Sequence, residues 1–164
     1  MSKPEVWLRG PVDGIPPLLQ PVAHSLLQSR EELEARLAPL TPAQLRAEPS
    51  GAASIAFHAR HAAGSVDRLF TYARGEALSD AQRTVLASET TADPTLDAAM
   101  LLAGFDARVE RALAQLRTTD ERSLTEARRV GRAGLPSTTV GLLFHAAEHA
   151  QRHLGQIATL AKIV

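Results

Sequence analysis

Leu19, Val22, Leu26, Leu33 and Leu37 recur along residues 18–38 with the three-to-four-residue spacing of one helix face. That spacing predicts a first long helix from Leu18 to Ala38, entered through Pro16-Pro17 and ended by Pro39. Three further long helices follow: residues 52–74, closed by Gly75; Asp93-Pro94 to Arg117, with Leu96, Met100, Ala103, Ala107 and Leu113 as its apolar stripe; and residues 138–161, capped by Ser137. Thr41-Pro42-Ala43-Gln44 and Ser79-Asp80-Ala81-Gln82 have the capping-box pattern and predict two short helices, stopping before Pro49 and near Ser88. Residues 118–137, with Gly131, Gly134 and Pro136, read as a loop holding a short extended piece near Arg128 to Val130. The expected fold is all-α: a four-helix bundle with one or two short extra helices in the connections. Residues 1–15 form an irregular lead-in and residues 16–164 a single domain, with no repeat and no linker.

Composition agrees with helices and narrows the chemistry. Alanine and leucine dominate, aromatic residues make up 4%, and β-branched runs are scarce. Lys+Arg and Asp+Glu are both 18, so no excess of positive charge points to nucleic acid. Without cysteine there is no disulfide, no thiolate metal ligand and no thiol nucleophile of the chain's own. No apolar run approaches the roughly 20 residues of a membrane span, and Lys3-Pro4-Glu5 does not open a signal peptide, so the expectation is a cytoplasmic protein.

Five of the six histidines fall on two long helices: His58 and His61 on the second, His145, His149 and His153 on the fourth. The latter three are spaced i, i+4, i+8, which places them on one helix face. Two imidazoles one turn apart can share an ion at roughly 2.0–2.1 Å. All three cannot, because an eight-residue span is about 12 Å long. One adjacent pair, completed by His58 or His61, gives three neutral nitrogen ligands and an open position. Zn²⁺ and Ni²⁺ suit such a set best, with Fe²⁺, Co²⁺ or Mn²⁺ as alternatives. Two other readings compete. His145-Ala146-Ala147-Glu148-His149 spells the inverted zincin motif, but no strand is at hand to hold a peptide substrate and no further helix follows to supply a third ligand. Alternatively, the histidines form a buried polar layer with Glu148, Gln151 or Gln156.

The segment Ser54-Ile55-Ala56-Phe57-His58-Ala59-Arg60-His61-Ala62-Ala63-Gly64-Ser65, followed by Asp67-Arg68-Leu69, resembles the second helix of the DinB-like (DinB/YfiT) proteins. His145-Ala146-Ala147-Glu148-His149-Ala150-Gln151-Arg152-His153-Leu154-Gly155-Gln156-Ile157 resembles their last helix, and the resemblance runs from about Pro17 to the C-terminus. It implies a metal-binding bundle whose ligands here are His61, His149 and His153. His58, His145 and Glu148 are left for the pocket or for holding the ligands. The resemblance also implies a metal-dependent enzyme, such as a transferase using a low-molecular-weight thiol. A metal-dependent hydrolase or a non-catalytic metal-binding or stress-response module is the alternative. Arg60, Arg68 and Arg152 are candidates for a cosubstrate carboxylate, and Glu148 for a general base. Gly155 is expected at a close helix contact and Gln156 in a bond to a neighbouring helix. A small-molecule substrate or thiol is the expected partner, with a homodimer as a further expectation.

Overall fold

The computed structural model describes residues 3–164; the first two residues of the lead-in lie outside the described residues. Its helices are α1 (Gln20–Leu37), α2 (Pro42–Arg46), α3 (Ile55–Ala73), α4 (Asp80–Ser88), α5 (Ala98–Thr118) and α6 (Thr139–Leu160). A hairpin of β1 (Ala127–Val130) and β2 (Leu135–Thr138) precedes α6. Single 3-10 turns occur at Val6–Leu8, Pro17–Leu19, Pro49–Gly51 and Glu121–Ser123. Both capping boxes form, with Gln44 reaching back to Thr41 and Gln82 to Ser79.

The long helices α1, α3, α5 and α6 make the bundle. α3 packs chiefly on α6 and then α5, while α1 packs on α6 and α5, so α1 and α3 stand diagonally, as do α5 and α6. Leu19, Leu26, Leu33 and Leu37 are fully buried and meet Ile55, Val66, Phe105, Leu116, Leu143, Leu154 and Ile157 in one core. α3 and α6 each bury a cluster of small residues around the histidines: Ala59, Ala62 and Ala63 on α3, and Ala146, Ala147 and Ala150 on α6. Small side chains let two helix backbones approach, which is what short imidazoles need in order to meet across the seam.

Three expectations are corrected. Asp93-Pro94 does not cap α5: the Asp93 carboxylate accepts from Thr95 N and Oγ1 in a local turn, and Asp97 caps the helix by accepting from Met100 N at 2.8 Å. The buried face of α5 is Leu101, Phe105, Val109, Ala112, Leu113 and Leu116, whereas Met100, Ala103 and Ala107 face solvent. Thr138, rather than Ser137, caps α6. The extended piece expected near Arg128 to Val130 is β1, and it pairs antiparallel with β2 from Ala127↔Thr138 to Val130↔Leu135. The turn between them uses Gly131 and Gly134 at φ 66° and 59°, a left-handed conformation that glycine adopts without strain. Arg128 Nε bonds Ala73 O at 2.7 Å, tying the hairpin to the end of α3.

The N-terminal segment lies along α1. Arg9 grips Glu31 through two bonds of 2.6 and 2.8 Å, Gln28 Oε1 accepts from Val6 N, and His24 Nε2 sits 3.0 Å from Gly10 O. His24 is thus part of this docking. No described helix is long and apolar enough to cross a membrane.

Candidate metal centre

Ser54 caps α3 through its hydroxyl, which accepts from Phe57 N at 3.2 Å, so His58 and His61 fall in the first two turns. α6 carries His149 and His153 on the face turned to α3. The structure brings His61, His149 and His153 together, with one ring nitrogen of each within 4.8 Å of the other two. His149 Nε2 is 3.1 Å from both His61 Nε2 and His153 Nε2. Three nitrogens bound tetrahedrally to one ion at roughly 2.0–2.1 Å stand about 3.4 Å apart, so the two His149 separations already suit a shared ion, and the His61–His153 pair lies within 4.8 Å. Phe57 stacks on His61 with ring centroids 5.5 Å apart and planes 14° from parallel, limiting rotation of that imidazole.

The proton positions follow from the partners. His61 Nδ1 lies 2.7 Å from Glu89 Oε2. A carboxylate only accepts, so Nδ1 carries the hydrogen and a neutral His61 presents a lone pair at Nε2. Beside that atom is Ser65 Oγ, at 3.2 Å. His153 Nδ1 lies 2.8 Å from His58 Nδ1. When the His153 nitrogen is the donor there, its Nε2 is also free to bind. His149 Nδ1 is buried and has no hydrogen-bond partner among the described residues. With that tautomer of His153, both it and His61 turn lone pairs toward His149 Nε2, which has at most one hydrogen to share between them, an arrangement that suits a cation.

Burial works against the charge of Glu89 but is outweighed by the hydrogen bonds and charges of His61 and Arg68, so its carboxyl is held below the usual range. Burial, followed by the charges of neighbouring histidines and Arg152, lowers His153 to about 4. Burial also lowers His149 and His58, each with a contribution from His61. Those imidazoles are therefore neutral near pH 7, the form a metal ion requires.

Other residues singled out in the sequence stand apart from this corner. His145 is half-exposed, its ring centroid 5.3 Å from that of His149 and its Nδ1 3.2 Å from Glu148 Oε2. Glu148 also accepts from Arg152 at 2.5 Å, which lowers its pKa and weakens it as a base. Arg60 bonds Ser88 O and Thr91 O at 2.7 and 2.8 Å, and Arg68 is buried against Glu89. Gln151 turns to Ser29 on α1, and Gln156 is exposed. Gly155 is a correction: it is exposed, with no atom within 4 Å of where a Cβ would sit, so it serves no close contact.

Glu89 is the residue that sequence reasoning missed. It follows the last residue of α4, its side chain is 2% exposed, and it bonds both His61 and Arg68. Its trace in the sequence is indirect. Gly64 sits inside a helix, where it costs about 1 kcal/mol relative to alanine, between a histidine and an arginine that need an acid between them. A cleft of about 330 Å³ opens beside the site, walled by Phe57, Arg60, Glu89 and Asp93; the three clustered histidines do not line it.

Solved structures share the fold. A conserved protein from Enterococcus faecalis superposes with TM-score 0.71 at 21% identity, covering 90% of this chain and 96% of its own. YfiT from Bacillus subtilis, described as a probable metal-dependent hydrolase with an unusual four-helix bundle topology, superposes with TM-score 0.68 at 19% identity, covering 93% and 91%. A DinB-like protein from Bacillus cereus gives TM-score 0.63 at 16% identity, covering 86% and 89%. No curated protein matches the chain in sequence. The sequence profile of the DinB superfamily matches residues 25–157, a span that takes in both histidine helices and the α4 connection holding Glu89, and the chain belongs to that superfamily.

Proposed function

We propose that this chain binds one divalent metal ion through His61, His149 and His153 and is a metal-dependent enzyme. The convergence of three imidazoles, one with its other nitrogen committed to a buried carboxylate, carries the reading. A divalent ion held there acts as a Lewis acid and lowers the pKa of a water or thiol at its open position. Zn²⁺ or Ni²⁺ suits the all-nitrogen set best, with Fe²⁺, Co²⁺ or Mn²⁺ as alternatives.

The protein's own part is to hold three lone pairs in place. Glu89 and Phe57 orient His61, His58 orients His153, and Ser65 offers a hydroxyl beside His61 Nε2. Hydrolysis is the favoured reaction, supported by what is said of YfiT, which shares the fold. Transfer of a low-molecular-weight thiol is the second reading: the chain has no cysteine, so the thiol is a cosubstrate.

Elemental analysis of the purified protein against His61→Ala, His149→Ala and His153→Ala tests the site. Stoichiometric metal in the wild type, lost in each variant, is expected; full retention in all three refutes the assignment. Turnover on a panel of esters, amides and phosphoesters, and on a thiol with an electrophile, each with and without metal, separates hydrolysis from transfer. Silence in both panels with every metal refutes the enzyme reading.

A further inference from the structure

We propose that Glu89, which belongs to neither histidine helix, is the positioning residue of the centre: it fixes the tautomer of His61 that aims Nε2 at His149 and His153. The inference rests on the metal-binding reading above.

Four features make Glu89 a built part of the site. Its Oε2 accepts from His61 Nδ1 at 2.7 Å, and a neutral imidazole with hydrogen on Nδ1 has its lone pair on Nε2. Arg68 takes Oε1 at 2.5 Å and Oε2 at 3.3 Å, and also bonds Ser65 Oγ, so the carboxylate cannot turn away. Arg60 holds the backbone on both sides of Glu89, at Ser88 O and Thr91 O, so the segment cannot withdraw. The slot exists because residue 64 is glycine: a Cβ there would stand 2.1 Å from Glu89 Oε1 and 2.6 Å from an Arg68 guanidinium nitrogen. His61, Gly64 and Arg68 lie on one stripe of α3, three and then four residues apart, so one helix face supplies the oriented histidine, the gap and the clamp.

Without Glu89, the hydrogen of neutral His61 is free to occupy Nε2, the atom that faces the other two histidines. Part of the population then cannot bind through it. Loss of a residue that orients a metal ligand typically weakens binding about 10–100-fold. Arg68 has no direct part in ligation; it acts through Glu89.

The test uses two readouts. Long-range ¹H–¹⁵N spectra of the metal-free protein, labelled at histidine, report which nitrogen of His61 carries hydrogen. Competition with a chromophoric chelator reports Zn²⁺ affinity. Wild type is expected to show hydrogen on Nδ1. Glu89→Ala is expected to show mixed tautomers and Zn²⁺ binding weakened by about 10–100-fold. Glu89→Ala strands the Arg68 charge, so a neutral pair of double variants guards against simple unfolding. Arg68→Met/Glu89→Gln keeps an acceptor for His61, and Arg68→Met/Glu89→Ala does not. The first should keep the tautomer and bind Zn²⁺ more tightly than the second. Equal tautomers and equal affinities in those two, or a change in melting temperature alone, overturn the proposal. Failure of wild type to bind any divalent ion refutes the metal reading instead, while the metal-free spectra still decide whether Glu89 sets the tautomer.

Discussion

Gly64→Ala puts a methyl group into the space that Glu89 and Arg68 occupy. In an ordinary helix interior this change is favourable by about 1 kcal/mol, because alanine has the higher helix propensity. Here the new Cβ would lie 2.1 Å from Glu89 Oε1, 2.6 Å from an Arg68 guanidinium nitrogen and 3.3 Å from Glu89 Cδ. Both touching atoms are tips of long side chains, and on a surface they would swing aside. Here they cannot do so freely: the side chains are 2% and 9% exposed and each is the other's ionic partner. Overpacking alone costs about 1–3 kcal/mol, and outright loss of a buried pair about 3–5 kcal/mol. Less the propensity gain of about 1 kcal/mol, the net cost runs from about 0–2 kcal/mol where the pair only repacks to about 2–4 kcal/mol where it is lost; with both side chains held, the second is expected. At about 2–4 °C per kcal/mol for a domain of this size, the melting temperature of the metal-free protein then falls by at least about 4 °C. Gly104→Ala and Gly155→Ala are matched controls, since nothing lies within 4 Å of a Cβ at either position. They should be neutral or stabilising by up to about 1 kcal/mol. Thermal and urea unfolding of the three variants decide the matter. A Gly64→Ala protein as stable as Gly104→Ala refutes the argument that residue 64 makes room for the ion pair.

Three further outcomes are expected. His58→Ala should keep stoichiometric metal while weakening its affinity about tenfold, because His58 touches His153 Nδ1 rather than the convergent nitrogens; loss of the metal, with retention in His61→Ala, would move the α3 ligand by one turn. Phe105→Ala should cost about 3–5 kcal/mol in urea unfolding, while Met100→Ala should stay within about 0.5 kcal/mol, since Phe105 is 1% and Met100 50% exposed; similar costs would restore the other face of α5. The Glu31 carboxyl, held down to about 2 first by its bond to Arg9, should titrate in a carboxyl ¹³C spectrum far below the ordinary glutamate range, and Arg9→Ala should return it toward ~4.3. Its folded value lies below its unfolded one, so the pair adds stability above the ordinary carboxylate range and loses it as pH falls through about 2. A Glu31 that titrates unchanged in Arg9→Ala would show that the N-terminal segment is held otherwise.

The parts of this molecule that sequence reveals are those whose physics is local. The leucines of α1 alternate with polar residues strongly enough to define a face, and Thr41 and Ser79 announce their helices because a capping box closes within four residues. α5 is harder because alanine is at home on either face: Ala103 and Ala107 extend a stripe from Met100 that solvent in fact covers, while Phe105, Val109 and Leu116 define the buried one. β2 is masked by Pro136, which survives in a strand because a two-stranded hairpin has only edges. The histidines behave the same way. Their spacing on α6 is local and visible, and in the structure this helix meets α3 at the histidines. What selects among the imidazole nitrogens is not local: Glu89 is 28 positions from His61 and 21 from Arg68 and lies beyond the end of its own helix, outside any periodic stripe. Yet its place is implied by two oddities on α3, an arginine on a face that must be buried and a glycine one turn before it. A buried guanidinium requires an anion, and a mid-helix glycine requires something that comes close. Read together, Arg68 and Gly64 call for a carboxylate from elsewhere in the chain, and His61, one turn further along the same stripe, is where its second oxygen has to point.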